Sequence, residues 1–194
     1  MNNEENLIYF VTSNNHKFLE ITKMFEEEKL HYKLKQLNIE TTEIQADSVK
    51  QNAFFKLNSV KSKVKGSCFV EDAGFFIDKP LNGFPGVYSS YVFKTIGNEG
   101  VLRLIDNFKQ TKAHFIAIIA LFFKPLNKVF FFEGRVEGRV SEKIRGSKGF
   151  GFDPIFISDK VKNKTFAELT LKEKNKISHR GIAWKKMIEF LRST

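Results

Sequence analysis

Cysteine is almost missing: the 194 residues hold only Cys68, which excludes an intramolecular disulfide framework and a cysteine-built zinc site. Long apolar runs are missing too. The longest, Phe115 to Phe123, is far short of the ~20 residues of a membrane-spanning helix, so no membrane partner is expected. The leading Met1-Asn2-Asn3-Glu4-Glu5 is polar and acidic, unlike a secretory signal or a transit peptide, and a soluble cytoplasmic protein is expected. No repeat, low-complexity linker or composition break divides the chain, so residues 1–194 are expected to form one domain. Acidic residues are also in deficit: 32 Lys plus Arg face 22 Asp plus Glu, a net charge of +10. What is abundant is apolar material, 42% hydrophobic residues including 22 Phe, which argues against disorder despite the charge. The excess of positive charge fits three origins: nucleic acid, an anionic small molecule, or a Lys-rich bias.

The order of elements reads as mixed α/β. Asn6 to Thr12 is dense in β-formers and predicts a buried first strand, followed after a polar turn by Phe18, Ile21 and Phe25 at helical spacing. Glu26-Glu27-Glu28 lies exposed near the end of that helix, and a weak alternation over Tyr32 to Leu37 predicts a second strand. Asp47 or Ser48 caps a helix whose apolar face is Val49, Ala53, Leu57, Val60 and Val64, with Gly66 ending it. Cys68-Phe69-Val70 then forms a short buried strand that ends in Glu71-Asp72. Lys79 to Gly86 is a loop; Val101, Leu102, Ile105 and Phe108 predict a helix. Ala113 to Phe123 and Lys128 to Val140 predict an antiparallel hairpin turning at Pro125-Leu126-Asn127. Gly146 to Pro154 is a glycine-rich loop, and a last helix starts after Ser178 with Ile182, Trp184, Met187, Ile188 and Leu191 as its apolar residues.

Four segments carry chemistry-bearing residues, each open to a plainer reading. Thr12-Ser13-Asn14-Asn15-His16-Lys17 is either an anion site at a helix start or an ordinary polar turn capped by Asn14 or Asn15. It lacks the glycines of a P-loop or a dinucleotide fingerprint. Glu71-Asp72 is either a pair of carboxylates suited to Mg²⁺ or a solvated strand end. Gly149-Phe150-Gly151-Phe152-Asp153-Pro154 allows a flat ring to approach backbone and stack on an aromatic face; the plainer reading is a turn with core phenylalanines. Ser178-His179-Arg180 puts cations at a helix N-terminus, where they oppose the macrodipole, and reads as a polar-ligand site or as a surface cluster.

In this order and spacing, TSNNHK, EDAGFF, FPGVYS, FEGRVEGRV, GFGFDPIF and EKNKISHRGIA resemble the inosine triphosphate pyrophosphatase family, from about Phe10 to Ala183. The resemblance implies hydrolysis of non-standard purine nucleoside triphosphates (ITP, dITP, XTP) to the monophosphate and pyrophosphate. It implies Thr12, Asn14 and Lys17 as a triphosphate loop, Lys56 as a second phosphate lysine, and Glu43 as a metal-binding acid. Asp72 would be the central acid, as a Mg²⁺ ligand or as the base for water, with Mn²⁺ as an alternative ion and Glu71 in support. Asp72, Glu71 and Lys17 are thus the expected catalytic residues. Phe150, Gly151, Phe152 and Asp153 would bind the base, and Lys174, His179 and Arg180 would read the 6-oxo edge of a purine. The implied fold is an elongated mixed β-sheet flanked by helices, with two lobes, a central substrate cleft, and a homodimeric assembly.

The chain departs from the family pattern at Ala73, where Ser or Thr is usual, at Phe75, where Leu is common, and at Phe152, where some members have Trp. A nucleic-acid module is the competing class, but no RNP, KH or zinc-finger signature accompanies the charge, and no nucleic-acid partner is expected. A related enzyme acting on modified pyrimidine or methylated nucleotides is a further alternative.

Overall fold

The computed structural model describes residues 6–194, leaving Met1 to Glu5 outside the description. The first β-rich run forms β1 (Leu7–Val11) and leads into α1 (Asn15–Glu27). β2 (Lys33–Leu37) follows and pairs in parallel with β1, from Leu7 opposite Lys33 to Val11 opposite Leu37. Then come α2 (Val49–Asn58), β3 (Ser67–Lys79), β4 (Phe84–Gly86), α3 (Ser89–Thr95) and α4 (Gly97–Leu104). The long pair β5 (Lys112–Phe123) and β6 (Lys128–Val140) is joined through Asn127 in the left-handed conformation, and β7 (Phe156–Ser158), α5 (Leu171–Ile177) and α6 (His179–Arg192) complete the chain. The seven strands make one sheet in the order β2-β1-β3-β5-β6-β7, with β4 beside β3. β1 pairs in parallel with β2 and β3, whereas β3–β4 and β6–β7 are antiparallel, so the sheet is mixed and the fold is α/β as expected. None of the described helices is long and apolar enough to cross a membrane.

The chain forms two compact units. The first holds residues through Asp72, Ala117–Glu133 and Ala183–Thr194; the second holds Ala73–Ile116 and Gly134–Ile182. The first unit is organised by aromatic packing. Phe10 stacks on Phe69 at 4.5 Å between ring centres, and Trp184 lies 5.6 Å from Phe69 and 5.8 Å from Phe25. Cys68 sits in this core, and burial pushes its thiol up to about 11, the nearby positive charge of Lys61 pulling weakly the other way. The core of the second unit gathers Phe75, Ile77, Val101, Phe115, Phe152, Phe156 and Phe166. Each such ring contributes about 1.5–3 kcal/mol on burial.

The structure corrects three boundaries. β3 does not stop at Glu71-Asp72 but continues to Lys79, because its second half pairs with β4. Ser89 secures that pairing: its hydroxyl accepts from the Phe75 N–H (2.7 Å) and donates to the Gly86 carbonyl (2.6 Å). α2 ends at Asn58, short of Gly66, because the Ser59 hydroxyl bonds back to the Lys56 carbonyl (2.8 Å) and takes the Thr42 N–H (3.0 Å). Val60 and Val64 stay buried in the turns that follow. The helix that includes Val101 ends at Leu104, leaving Phe108 outside it and exposed.

Candidate active site

In the first unit, a short turn converts the end of β1 into the start of α1. The Thr12 hydroxyl accepts from the Asn14 N–H (3.1 Å), and the Asn14 side chain caps the helix by accepting from the Lys17 N–H (3.1 Å). Lys17 is thereby held in the first helical turn, where the macrodipole disfavours a cation and favours an anionic neighbour. It finds one in Glu71: Lys17 Nζ lies 2.7 Å from Glu71 Oε2 and donates to the Glu71 carbonyl at 3.2 Å. The Glu71 carboxylate is fully buried, in the middle of β3, which excludes the solvated strand end. Asp72, the next residue, is half-buried, as is Ala73.

A second lysine–carboxylate pair lies on α2. Lys56 stands in the last turn, where a cation suits the macrodipole, and its Nζ is 2.7 Å from Glu43 Oε1. Glu43 precedes the helix and its side chain is 72% exposed, so this pair opens to solvent while the Lys17–Glu71 pair does not. Glu43 and Asp72 offer carboxylate oxygens only, the donor chemistry that a hard ion such as Mg²⁺ prefers.

In the second unit, the glycine-rich loop folds around an acid. Asp153 Oδ2 accepts from the Phe150 N–H (2.9 Å) and from Lys174 Nζ (2.5 Å), and both side chains of the ion pair are buried. Gly149 is required twice over: its φ is +73°, and a Cβ there would meet Asp153 Oδ2 at 2.1 Å. Above this pair, Lys174 Nζ lies 5.1 Å from the centre of the half-buried Phe150 ring, and the Arg180 guanidinium carbon lies 5.2 Å from it. Phe152 points elsewhere, into the core, 5.1 Å from Phe75. Of the two phenylalanines, only Phe150 offers a partly open face, and Gly151 between them is half-buried.

His179 and Arg180 open α6. They are buried rather than a surface cluster, with the imidazole stacked on Phe115 at 4.5 Å and 8°. The Ser178 hydroxyl accepts from the Gly181 N–H (3.1 Å), as its place before the helix leads one to expect. Gly181 cannot gain a side chain, since a Cβ would lie 1.8 Å from the Asn175 carbonyl oxygen. Two supports escaped the sequence. Asn98 on α4 donates to the Gly151 carbonyl (3.1 Å) and steadies the loop, and Thr170 with Glu173 forms a capping box that starts α5 and so aims Lys174. The box had a readable signal, Thr-x-x-Glu before Lys174; a lone Asn in a helix had none.

The grouping brought about by folding is therefore Thr12, Asn14, Lys17, Glu43, Lys56, Glu71 and Asp72 in the first unit, and Phe150, Gly151, Asp153, Lys174, His179 and Arg180 in the second. Comparison with known proteins covers more than nine-tenths of this chain. It is 45% identical over 183 residues to a dITP/XTP pyrophosphatase of Thermococcus kodakarensis, covering 94% of this chain and 96% of that one. A dITP/XTP pyrophosphatase of Pyrococcus horikoshii is 42% identical over 185 residues, with 95% and 96% covered. Among solved structures, the Staphylococcus aureus Ham1 protein superposes with a TM-score of 0.81 at 26% identity, over 96% of this chain and 98% of that one. A HAM1 protein of Coxiella burnetii also superposes at 0.81, with 28% identity and 97% and 99% coverage. The model of the Ham1 family matches residues 8–190, through both units, and the chain belongs to that family.

Proposed function

We propose that this protein hydrolyses non-standard purine nucleoside triphosphates (ITP, dITP, XTP) to the nucleoside monophosphate and pyrophosphate. The observation that carries the reading is the pairing of Lys17 and Lys56 with carboxylates at 2.7 Å each. Cations and acids interleaved this closely suit a metal-bound polyphosphate better than a simple anion. The names borne by relatives over more than nine-tenths of the chain point to the same chemistry.

In this reading Lys56 turns from the exposed Glu43 to a phosphate oxygen, while Lys17 stays on the buried Glu71 and offers its remaining N–H to the phosphates, kept in place by the cap at Asn14 and the turn at Thr12. A water attacks the α-phosphorus; its proton passes to Asp72, the bond to the bridging oxygen breaks, and pyrophosphate leaves. Glu71, buried beside Asp72, holds the Lys17 side chain in reach. Glu43 and Asp72 would hold Mg²⁺ or Mn²⁺, which when bound offsets phosphate charge and polarises a phosphoryl oxygen. Lys174, His179 and Arg180 present donors to a 6-oxo group, with Phe150 as a stacking face for the ring. Adenine carries an amino group at that position and would leave those donors unpaired, which is a strong basis for rejection. A homodimer working on the cytoplasmic nucleotide pool belongs to the same reading.

The test is pyrophosphate release across a panel of nucleoside triphosphates, with and without Mg²⁺. Turnover of ITP, dITP and XTP with little of ATP is expected. Turnover of modified pyrimidine nucleotides instead, or salt-sensitive binding of RNA or DNA without hydrolysis, would overturn the assignment.

A further inference from the structure

The second unit carries a group of metal-ligating side chains that the proposed hydrolysis does not use. On β3, Phe75 and Ile77 point into the core, so Phe76 and Asp78 face the other side of the sheet. On β5, Ala113 and Phe115 are core residues, which puts His114 on that same opposite face. On β6, Val136 and Val140 are core residues while Arg135, Glu137 and Arg139 alternate outward. β3, β5 and β6 are neighbours in the sheet, so three adjacent strands each deliver one ligand-bearing residue to one face. Asp78, His114 and Glu137 each offer a ligand atom there, and these atoms lie within 4.8 Å of one another.

The imidazole is not a loose surface group. His114 is buried, its Nδ1 lies 2.8 Å from Asp78 Oδ2, and its ring stacks on Phe76 at 4.7 Å and 2°. The ring is thus oriented before any ligand arrives, while both carboxylates keep access to solvent. One nitrogen and two oxygens make a donor set that suits Zn²⁺ and disfavours Mg²⁺, which prefers all-oxygen surroundings. Zinc binds such atoms at about 2.0–2.2 Å, which sets ligands roughly 3.4 Å apart in a tetrahedral site. The 2.8 Å between Asp78 and His114 must widen by about 0.6 Å, and the other separations, at most 4.8 Å, must close by no more than about 1.4 Å.

We propose that Asp78, His114 and Glu137 form a zinc site that clips β3, β5 and β6 together, with water as the fourth ligand. The ion binds the lone pair of a neutral imidazole whose proton sits on Nε2, so the hydrogen bond between Asp78 and His114 gives way to a bond from each to the metal. Arg135 is the competitor: its Nε lies 2.5 Å from Glu137 Oε1, and both side chains are exposed, so the arginine can swing aside at little cost. Without metal, Arg135 neutralises Glu137; with metal, Glu137 turns to the ion.

The test is zinc uptake by the full-length protein after removal of metal with a chelator, measured by equilibrium dialysis and elemental analysis. One zinc per chain is expected at micromolar zinc, with a rise in Tm. Cobalt(II) in its place should give the visible bands of a four-coordinate site. Asp78→Asn and Glu137→Gln, both at solvent-accessible side chains, should weaken uptake by at least about tenfold, whereas Arg135→Gln should tighten it. Glu43→Gln, in the first unit and outside this group, should bind zinc like the parent. Absence of uptake by the parent protein, equal uptake by Asp78→Asn and Glu137→Gln, or loss of uptake in Glu43→Gln would each overturn the proposal. None of these readouts depends on nucleotide hydrolysis, so the two proposals stand or fall separately.

Discussion

The two groups of site residues solve opposite electrostatic problems. In the first unit, Lys17 and Lys56 are each parked on a carboxylate, one pair inside and one in solvent. The exposed pair can exchange one anion for another, which is what capture and release of a polyphosphate require, while the buried pair keeps the second cation at hand. In the second unit, Lys174 is committed: it is buried with Asp153, and Asp153 in turn fixes the backbone at Phe150. Here the charge serves to hold a shape, and preorganised donors can discriminate one base edge from another without moving. Exchange governs one cluster and rigidity the other.

The sharpest break of that contrast is chemical. Asp72→Asn should lower pyrophosphate release from ITP by about 10²–10⁴-fold while Tm stays within a degree or so of the parent, as read by calorimetry. Normal turnover by this variant would remove Asp72 from its role. Next, Lys174→Ala should destabilise the protein by about 3–5 kcal/mol in urea unfolding, because it leaves the Asp153 carboxylate buried without its cation. A double-mutant cycle with Asp153→Ala should recover part of that loss; a cost below about 1 kcal/mol would mean the pair is not structural.

Lys56→Ala should behave the other way round. Its exposed pair is worth at most about 1 kcal/mol to folding, yet loss of a charged phosphate contact should reduce kcat/KM for ITP roughly 10–100-fold. If stability falls more than activity, the exchange picture fails. The smallest effect concerns the capping box of Thr170 and Glu173 and a second one, in which Thr165 and Glu168 bond each other in the same reciprocal way. Bonds from the Thr165 and Thr170 backbone hold the Glu168 and Glu173 carboxyls below their ordinary value of 4.5. A depressed folded value means the stabilisation is present above the unfolded value and is lost as pH falls through the folded one. The double variant Glu168→Gln/Glu173→Gln should therefore show a shallower acid limb below about pH 4.5 in unfolding scans, with the parent showing the steeper one.

Much of the frame was legible because its signals are local. The β-rich opening, a cap at Asn14 or Asn15 that the structure places at Asn14, the long strands around Pro125-Leu126-Asn127 and the apolar stripe after Ser178 all rest on residues within a few positions of one another. What was not legible depends on distant partners. Nothing near Glu71-Asp72 announces that the strand continues; β4 and the hydroxyl of Ser89 decide it. Nothing near His179 announces burial, since its stacking partner Phe115 lies on β5, far away in the sequence. Phe150 and Phe152 look equivalent in sequence, yet only tertiary packing sends one to Phe75 and leaves the other under Lys174 and Arg180. The short helices α3 and α5 are too brief for periodicity to mark.

The lone thiol of Cys68 has a use beyond packing. Buried in β3 with its ionisation pushed to about 11, it is chemically silent at neutral pH while the strand stays closed. Alkylation can then proceed only through openings that expose this strand, so the labelling rate becomes a clock for them. With one cysteine in the chain, that clock has a single hand: nucleotide or zinc that slows it would report, without any added probe, how firmly each ligand closes the centre of the sheet.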